Sequence, residues 1–269
     1  MLKDITIGQY YPSESVVHKL DPRLKIVLTL VYIVAIFFIG NFWGFLCLTV
    51  LSILLSRVSK IPLGFLLKGL KPLAVLMTIT ALLNLFMTDG QILWQFGFFR
   101  ITREGIILSA FMLLRILFLV LGTSFLTYTT TPITLTAGIE SLLKPFAKIG
   151  LPAHEIAMMM SIALRFIPTL IEETDKIMSA QKARGASLSE GNLLKRAKAL
   201  IPILIPLFVS AFRRADELAV AMESRCYHGG SDRTKLKELK YQTKDTVALL
   251  VFSLSVTGML LLNLLGASL

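Results

Sequence analysis

Arg184 and Arg225 are the residues whose type and setting point most directly to chemistry. Each is flanked by small residues, in Ala183-Arg184-Gly185 and Ser224-Arg225-Cys226, and the approaches to the two match. Asp175 and Asp216 lie nine residues before the arginine, Ile177 and Leu218 seven before, and Ala180 and Ala221 four before. On a helix, positions four and seven before an arginine share its face, so each segment reads as an apolar, small-residue stripe ending in one cation. Gly185 and the Gly229-Gly230 pair are the expected stops of these two helices. A cation in the last turn suits the macrodipole of any helix, so either arginine alone has an ordinary structural explanation. Repetition of the spacing within one chain argues for more, because a planar, always charged fork fits a carboxylate-lined pocket on a partner.

Other chemistry finds little support. His154-Glu155 lacks the second histidine of a zinc-binding helix, and there is no phosphate-cradling glycine loop and no nucleophile elbow. His18, His154 and His228 read as surface or cap residues. Cys47 in an apolar run and Cys226 in a polar one give neither a disulfide framework nor metal spacing. No catalytic residue, cofactor or metal site is expected. The run Met158-Met159-Met160 with Ile162, Ala163 and Leu164 reads as helix packing or, if exposed, as a face that repacks against several apolar partners.

The elements that must position these arginines follow from composition. Of 269 residues, 55% are hydrophobic and 17% charged, with a mean hydropathy of +0.72, which is too apolar for a typical soluble domain. The net charge of +11 then reads as cytoplasmic lysine and arginine, not as a nucleic-acid surface, since aromatics are not interleaved with the basic residues. Met1 to Lys25 has no apolar core and does not resemble a signal peptide.

Asp21-Pro22 is a sound helix start, which places Arg23 and Lys25 at the lipid headgroups. The apolar run from Ile26 to Ser56 would extend roughly 46 Å as one helix, against a hydrocarbon core of about 30 Å. Gly40-Asn41 divides it into Leu24–Ile39 and Phe42–Ser56, expected as a tight hairpin of two spans, with a re-entrant pair as the alternative. A third span runs from Leu63 or Leu73 to Met87, residues 88 to 103 form a polar turn, and Gly105–Thr127 is the fourth. Arg115 lies near the middle of that fourth span and must face protein or water, with carbonyls or Asn84 as partners. Thr131–Ile149, a long helix from Pro152 to Lys182 kinked at Pro168, and a third from Leu193 to about Tyr227 follow, and Val247–Leu265 is long enough to span. The expectation is an all-α integral membrane protein of about five transmembrane helices plus a block of three long amphipathic helices. Its parts are a cytoplasmic N-terminal segment (1–23), transmembrane helices 1 to 4 (24–128), a cytoplasmic helical block (129–246) and a C-terminal transmembrane helix (247–269).

The opening Ile5-Thr6-Ile7-Gly8-Gln9-Tyr10-Tyr11-Pro12, with His18 to Lys25 and the two small-Arg-small tripeptides, resembles the transmembrane T component (EcfT/CbiQ-like) of energy-coupling factor transporters. These are ATP-binding-cassette importers of vitamins and metal ions in prokaryotes, and the resemblance covers essentially the full length. The second tripeptide departs from the family's Ala-Arg-Gly form at both flanks, with Ser224 and Cys226, though both substitutes are small. The resemblance implies a non-catalytic, multi-pass subunit of the plasma membrane that joins two cytoplasmic ATPase subunits to one or more small hydrophobic substrate-binding membrane subunits. Arg184 and Arg225, with Ala183, Gly185, Ser224 and Cys226, would dock on the ATPases. Met158, Met159, Ile162 and Ala163, with Ile201, Ile205 and Phe208, are the candidates for holding the substrate subunit. The alternative is a membrane scaffold or sensor whose basic helices bind an acidic partner or anionic lipid.

Overall fold

The computed structural model describes residues 10–96, 99–150, 152–186, 193–229 and 239–266; the first part of the N-terminal motif, Ile5 to Gln9, lies outside them. The elements are α1 (Pro22–Phe37), α2 (Phe42–Ser59), α3 (Leu63–Lys68), α4 (Ala74–Met87), β1 (Ile92–Phe96), β2 (Phe99–Thr102), α5 (Arg103–Thr129), α6 (Pro132–Leu143), α7 (Ala153–Ala183), α8 (Leu193–Glu223) and α9 (Thr243–Gly266). The chain divides into two compact units, Gly8–Ser141 with Glu238–Leu269, and Leu142–Lys237.

The first unit is built on α5. Antiparallel to it runs α1, because the Tyr32 hydroxyl donates to the Phe118 carbonyl (3.0 Å) and the Lys25 ammonium to the Thr129 carbonyl (2.9 Å). Parallel to α1 runs α9, tied at both ends: the Asp21 amide donates to the Asp245 carboxylate (2.8 Å), and Asn263 bonds the Phe38 carbonyl, the Gly40 amide and the Asn41 side chain. Asp21 also caps α1 as expected, accepting from the Arg23 amide at 2.8 Å.

Among the described residues five helical stretches are long and apolar enough to cross a membrane: 42–59, 64–87, 103–129, 153–183 and 243–263. At 16 residues α1 is not among them, yet its two ends meet the two ends of the full-length α9, so it traverses the same depth. That geometry favours a hairpin of two spans over a re-entrant pair. An apolar cavity of about 330 Å³ opens among α1, α2, α5 and α9, lined by Tyr32, Leu51, Phe125 and Val251 among others.

One end of this unit gathers four separate pieces of chain. The Tyr11 amide bonds the Tyr128 carbonyl, Ser13 donates to the Ser59 carbonyl, Tyr11 packs on Phe65, and Asp21 meets Asp245. His18 belongs to this knot and is half-buried, with Nε2 3.0 Å from the Tyr11 carbonyl and Nδ1 2.7 Å from the Ser15 hydroxyl. Burial pushes its pKa below the ordinary imidazole value. It is thus an organiser of the N-terminal segment, where a surface or cap residue was expected.

Three further expectations are corrected. Lys25 does not sit at the headgroups: it is buried, and its ammonium donates to the His18 and Thr129 carbonyls and the Thr130 hydroxyl. It reaches the carbonyl end of α5, where backbone acceptors lack intrahelical partners. The 88–103 turn contains an antiparallel hairpin, with Gln95 paired to Arg100 and Phe96 to Phe99. The expected helix 131–149 ends at Leu143, and Lys144–Ile149 is 3-10 with Pro145 at its start. Gly150 still closes it at φ +90°. The third span, expected from Leu63 or Leu73, has its long helix from Ala74, after α3 and a 3-10 turn over Lys71–Leu73.

Lys25→Met removes the donor for three buried oxygens. It is expected to destabilise the protein by about 1.5–3 kcal/mol, visible as a lower unfolding midpoint in detergent, and an unchanged midpoint would show that these bonds do not hold the knot together.

Candidate functional site

Both arginines end their helices with the same hydrogen-bond pattern. The Arg184 amide bonds the Gln181 carbonyl (3.1 Å), the Gly185 amide the Lys182 carbonyl (2.9 Å), and the Ala186 amide reaches back to Gln181 (3.0 Å). Forty-one residues later the Arg225 amide bonds Met222 (3.1 Å), the Cys226 amide Glu223 (2.9 Å), and the Tyr227 amide Met222 (3.1 Å). This closure requires a left-handed residue after the arginine, and Gly185 (φ +86°) and Cys226 (φ +56°) supply it. The stop of α8 is therefore Cys226 and not the expected Gly229-Gly230. Gly229 also has a positive φ but comes three residues later, and Gly230 lies outside the described residues. Ala183, Arg184, Gly185, Ser224, Arg225 and Cys226 are all exposed, and among the described residues no acidic side chain forms an ion pair with either arginine.

The two helices pack antiparallel. Gln181 of α7 donates to the Pro202 carbonyl of α8 (3.3 Å), Glu173 meets Ser210 and Arg214, and the Tyr227 hydroxyl donates to the Met158 sulfur (3.1 Å). As the partner's number falls the α7 number rises, which places Arg184 and Arg225 at opposite ends of the pair, roughly 30–40 Å apart along the axis by helical rise. The prolines do not break either helix: α7 is continuous through Pro168, and α8 through Pro202 and Pro206. Pro206 has no amide hydrogen to give the carbonyl four residues back, and Gln181 takes up that free Pro202 carbonyl.

The apolar candidates separate into two groups. On α8, Ile203 is buried, and Leu207, Ser210 and Arg214 on the same face are half-buried. Ile201, Ile205 and Phe208 lie on the opposite face and are exposed, Phe208 at 60%, with Phe212 continuing the stripe. On α7, Met159 is 58% exposed and Ala163 is exposed, while Ile162 is half-buried. Met158 is half-buried and engaged by Tyr227, so it belongs to the seam of the pair and not to an outer face.

Arg115 is a structural residue. Its guanidinium donates to the Ile39 carbonyl (3.1 Å) and lies over the Phe37 ring. Mid-helix in sequence, it is level with the end of α1, where carbonyls are free and the helix dipole is negative. Among the described residues no group of three or more His, Cys, Asp or Glu is placed to hold a metal ion. The pair Glu173–Arg214 was not singled out by sequence, although its signal is there: Glu173 precedes Arg184 by eleven residues, as Arg214 precedes Arg225.

Residues 13–236 match the CbiQ family model, described as cobalt transport protein. The chain is 58% identical over 250 residues to the energy-coupling factor transporter transmembrane protein EcfT of Clostridium kluyveri, covering 92% of this chain and 93% of that one. It is 52% identical to the protein of the same description from Thermosediminibacter oceani, over 96% and 97% of the two chains, and 48% identical to that of Bacillus subtilis, over 91% and 93%.

The two helix ends make opposite predictions. An added Cβ at Gly185 meets nothing within 4 Å, so Gly185→Ala should cost the backbone strain alone, about 1–2 kcal/mol. Cys226→Gly relieves the same strain against a smaller entropic loss, and should stabilise by about 0.5–1 kcal/mol. Unfolding midpoints of the two variants in detergent check both signs.

Proposed function

The chain belongs to the CbiQ family, as a transmembrane component of energy-coupling factor transporters, and from that premise we propose that it couples two ATPase subunits to a substrate-binding membrane subunit. The observation that carries this reading is the pair of similarly closed helix ends, each presenting an exposed arginine, at opposite ends of the antiparallel α7–α8 pair. One cation docks in a carboxylate-lined groove on each ATPase. When ATP closes the ATPases, the docked ends change their spacing and the helix pair carries that movement to the substrate subunit. The chain itself is not catalytic, and hydrolysis resides in the partners. The imported compound is a vitamin or a metal ion captured by the other membrane subunit.

Charge distribution supports the orientation. In the five-span reading made of α1, α2, α4, α5 and α9, the N-terminal segment, the 57–72 turn and residues 128–246 share one side, and they hold nearly all lysines and arginines outside the spans. The opposite side keeps Arg100 and Arg103. By the positive-inside tendency the basic side is the cytoplasm and the membrane is the plasma membrane. Although α7 is long and apolar enough to span, Glu172, Glu173, Asp175 and Lys176 in its second half suit a helix lying at the cytoplasmic surface. The exposed stripe Ile201, Ile205 and Phe208, with Met159, Ala163 and the half-buried Ile162, is the contact for the substrate subunit.

Tagged co-purification from native membranes in mild detergent tests the reading. The wild-type chain should bring down two ATPase subunits and at least one small hydrophobic protein, and Arg184→Glu with Arg225→Glu should lose the ATPases alone. Each docked pair is worth roughly 2–5 kcal/mol, much of it from the partner carboxylate left unpaired. ATPases retained by the double variant, or absent from the wild type, contradict the proposal; absence from the wild type turns the interpretation to a scaffold or sensor. A polar substitution at Met159, such as Met159→Gln, should weaken recovery of the small hydrophobic protein more than that of the ATPases, and equal loss of both would mean misfolding.

A further inference from the structure

The match between α7 and α8 runs deeper than their ends. Shifting α7 by 41 residues lays Arg184 on Arg225, Ala180 on Ala221, Asp175 on Asp216 and Glu173 on Arg214. Two equivalent helices packed antiparallel are related by an approximate two-fold axis, and the position on that axis contacts its own equivalent. Glu173 and Arg214 are equivalent positions, and they touch: Arg214 Nη2 lies 3.3 Å from the Glu173 carboxylate, which also accepts from the Ser210 hydroxyl. The axis of the pair therefore passes through this contact. From it each docking arginine lies eleven residues onward, about 16 Å along its own helix, in opposite directions.

An identical charged residue at both axial positions would face its like and repel. Here the two positions carry opposite charges, and the result is the one ion pair between α7 and α8 among the described residues. Other contacts along the seam are of a different kind: apolar at Ile203, side chain to carbonyl at Gln181–Pro202, and hydroxyl to sulfur at Tyr227–Met158. These can slide or reorient at little cost, whereas the Glu173 carboxylate engages two partners on α8 at once, Ser210 and Arg214, and sliding breaks both charge-assisted contacts together.

Resting on the coupling reading above, we propose that Glu173, Arg214 and Ser210 form the pivot of an equal-armed lever. They are positioning residues that stay in contact throughout the ATP cycle, so that displacement of one docked arginine turns the pair about its centre instead of sliding one helix along the other. Without the pivot the helices shift in register, and movement at Arg184 and Arg225 is dissipated before it reaches the outer apolar face.

The test uses the assembled complex, co-purified through the tagged chain with its ATPase subunits and reconstituted in lipid nanodiscs. Spin labels are attached through azide-bearing non-natural residues at positions 182 and 223, exposed and beside the docking arginines, which leaves Cys47 and Cys226 in place. Addition of ATP should shift the distance between the labels as a narrow distribution. Glu173→Arg alone, or Arg214→Glu alone, should leave ATPase recovery intact but broaden the distribution and cut the ATP-driven shift by roughly half or more. Combining the two exchanges should restore both shift and width, which is the signature of a direct pair. Glu173→Gln, which keeps the shape and the Ser210 bond, should show the same broadening to a smaller extent and decides the matter if a charge exchange prevents assembly. An unaltered shift in the single variants, or no recovery in the combined one, overturns the pivot while leaving the docking reading in place. Absence of ATPases from the parent complex overturns the docking reading and the pivot with it.

Discussion

Two helices packed antiparallel must have their C-termini at opposite ends, and the character of the second unit follows from that constraint. A helix C-terminus carries free carbonyls and the negative end of the dipole, so a cation is at home there by about 0.3–1 kcal/mol before any partner arrives. Because α7 and α8 end with the same backbone closure, each holds its arginine in the same local frame. The pair thus offers two equivalent cationic points facing away from each other, with the Glu173–Arg214 contact between them. Its outer face is left apolar by the stripe Ile201, Ile205, Phe208 and Phe212.

The first unit is held by bonds at helix ends more than by bonds along helices. Lys25 reaches the last carbonyls of α5, Arg115 the last carbonyl beyond α1, Asp245 the amide before α1, and Asn263 the turn that follows it. These are the places where backbone groups lack intrahelical partners, and in an apolar surrounding an unpaired one is costly. Lys25, Arg115 and Asn263, which look out of place in apolar runs, each have such a group to satisfy. Pro206 extends the same logic to the second unit, where the carbonyl it frees is taken by Gln181.

Much of this was legible in the chain itself. The Asp21-Pro22 start, the break at Gly40-Asn41, the Gly185 stop and the echo between the two arginines follow from local rules of capping and period, and the structure has all of them. What escaped the sequence depended on partners distant in the chain or on backbone strain. Cys226 gives no sign of a left-handed conformation, and Gly229-Gly230 is the more obvious stop. Lys25 next to Arg23 looks like an interfacial pair until α5 brings its carbonyls within reach. The pairing of Ile92–Phe96 with Phe99–Thr102 is hidden in a stretch whose composition is that of a polar turn. The role of Glu173 appears only when antiparallel packing shows which repeated position faces its own copy.

The central claim is that each arginine-bearing helix end seats on its own ATPase subunit. Site-specific photo-cross-linking in intact cells measures this directly, with a photoreactive phenylalanine placed at Lys182 or at Glu223, each a neighbour of one arginine and exposed. The account predicts that both positions give a cross-linked product with an ATPase subunit, and that Arg184→Glu abolishes the product at 182 while sparing that at 223. Cross-links to lipid alone, or ATPase products that persist at 182 after the charge is reversed, would contradict it.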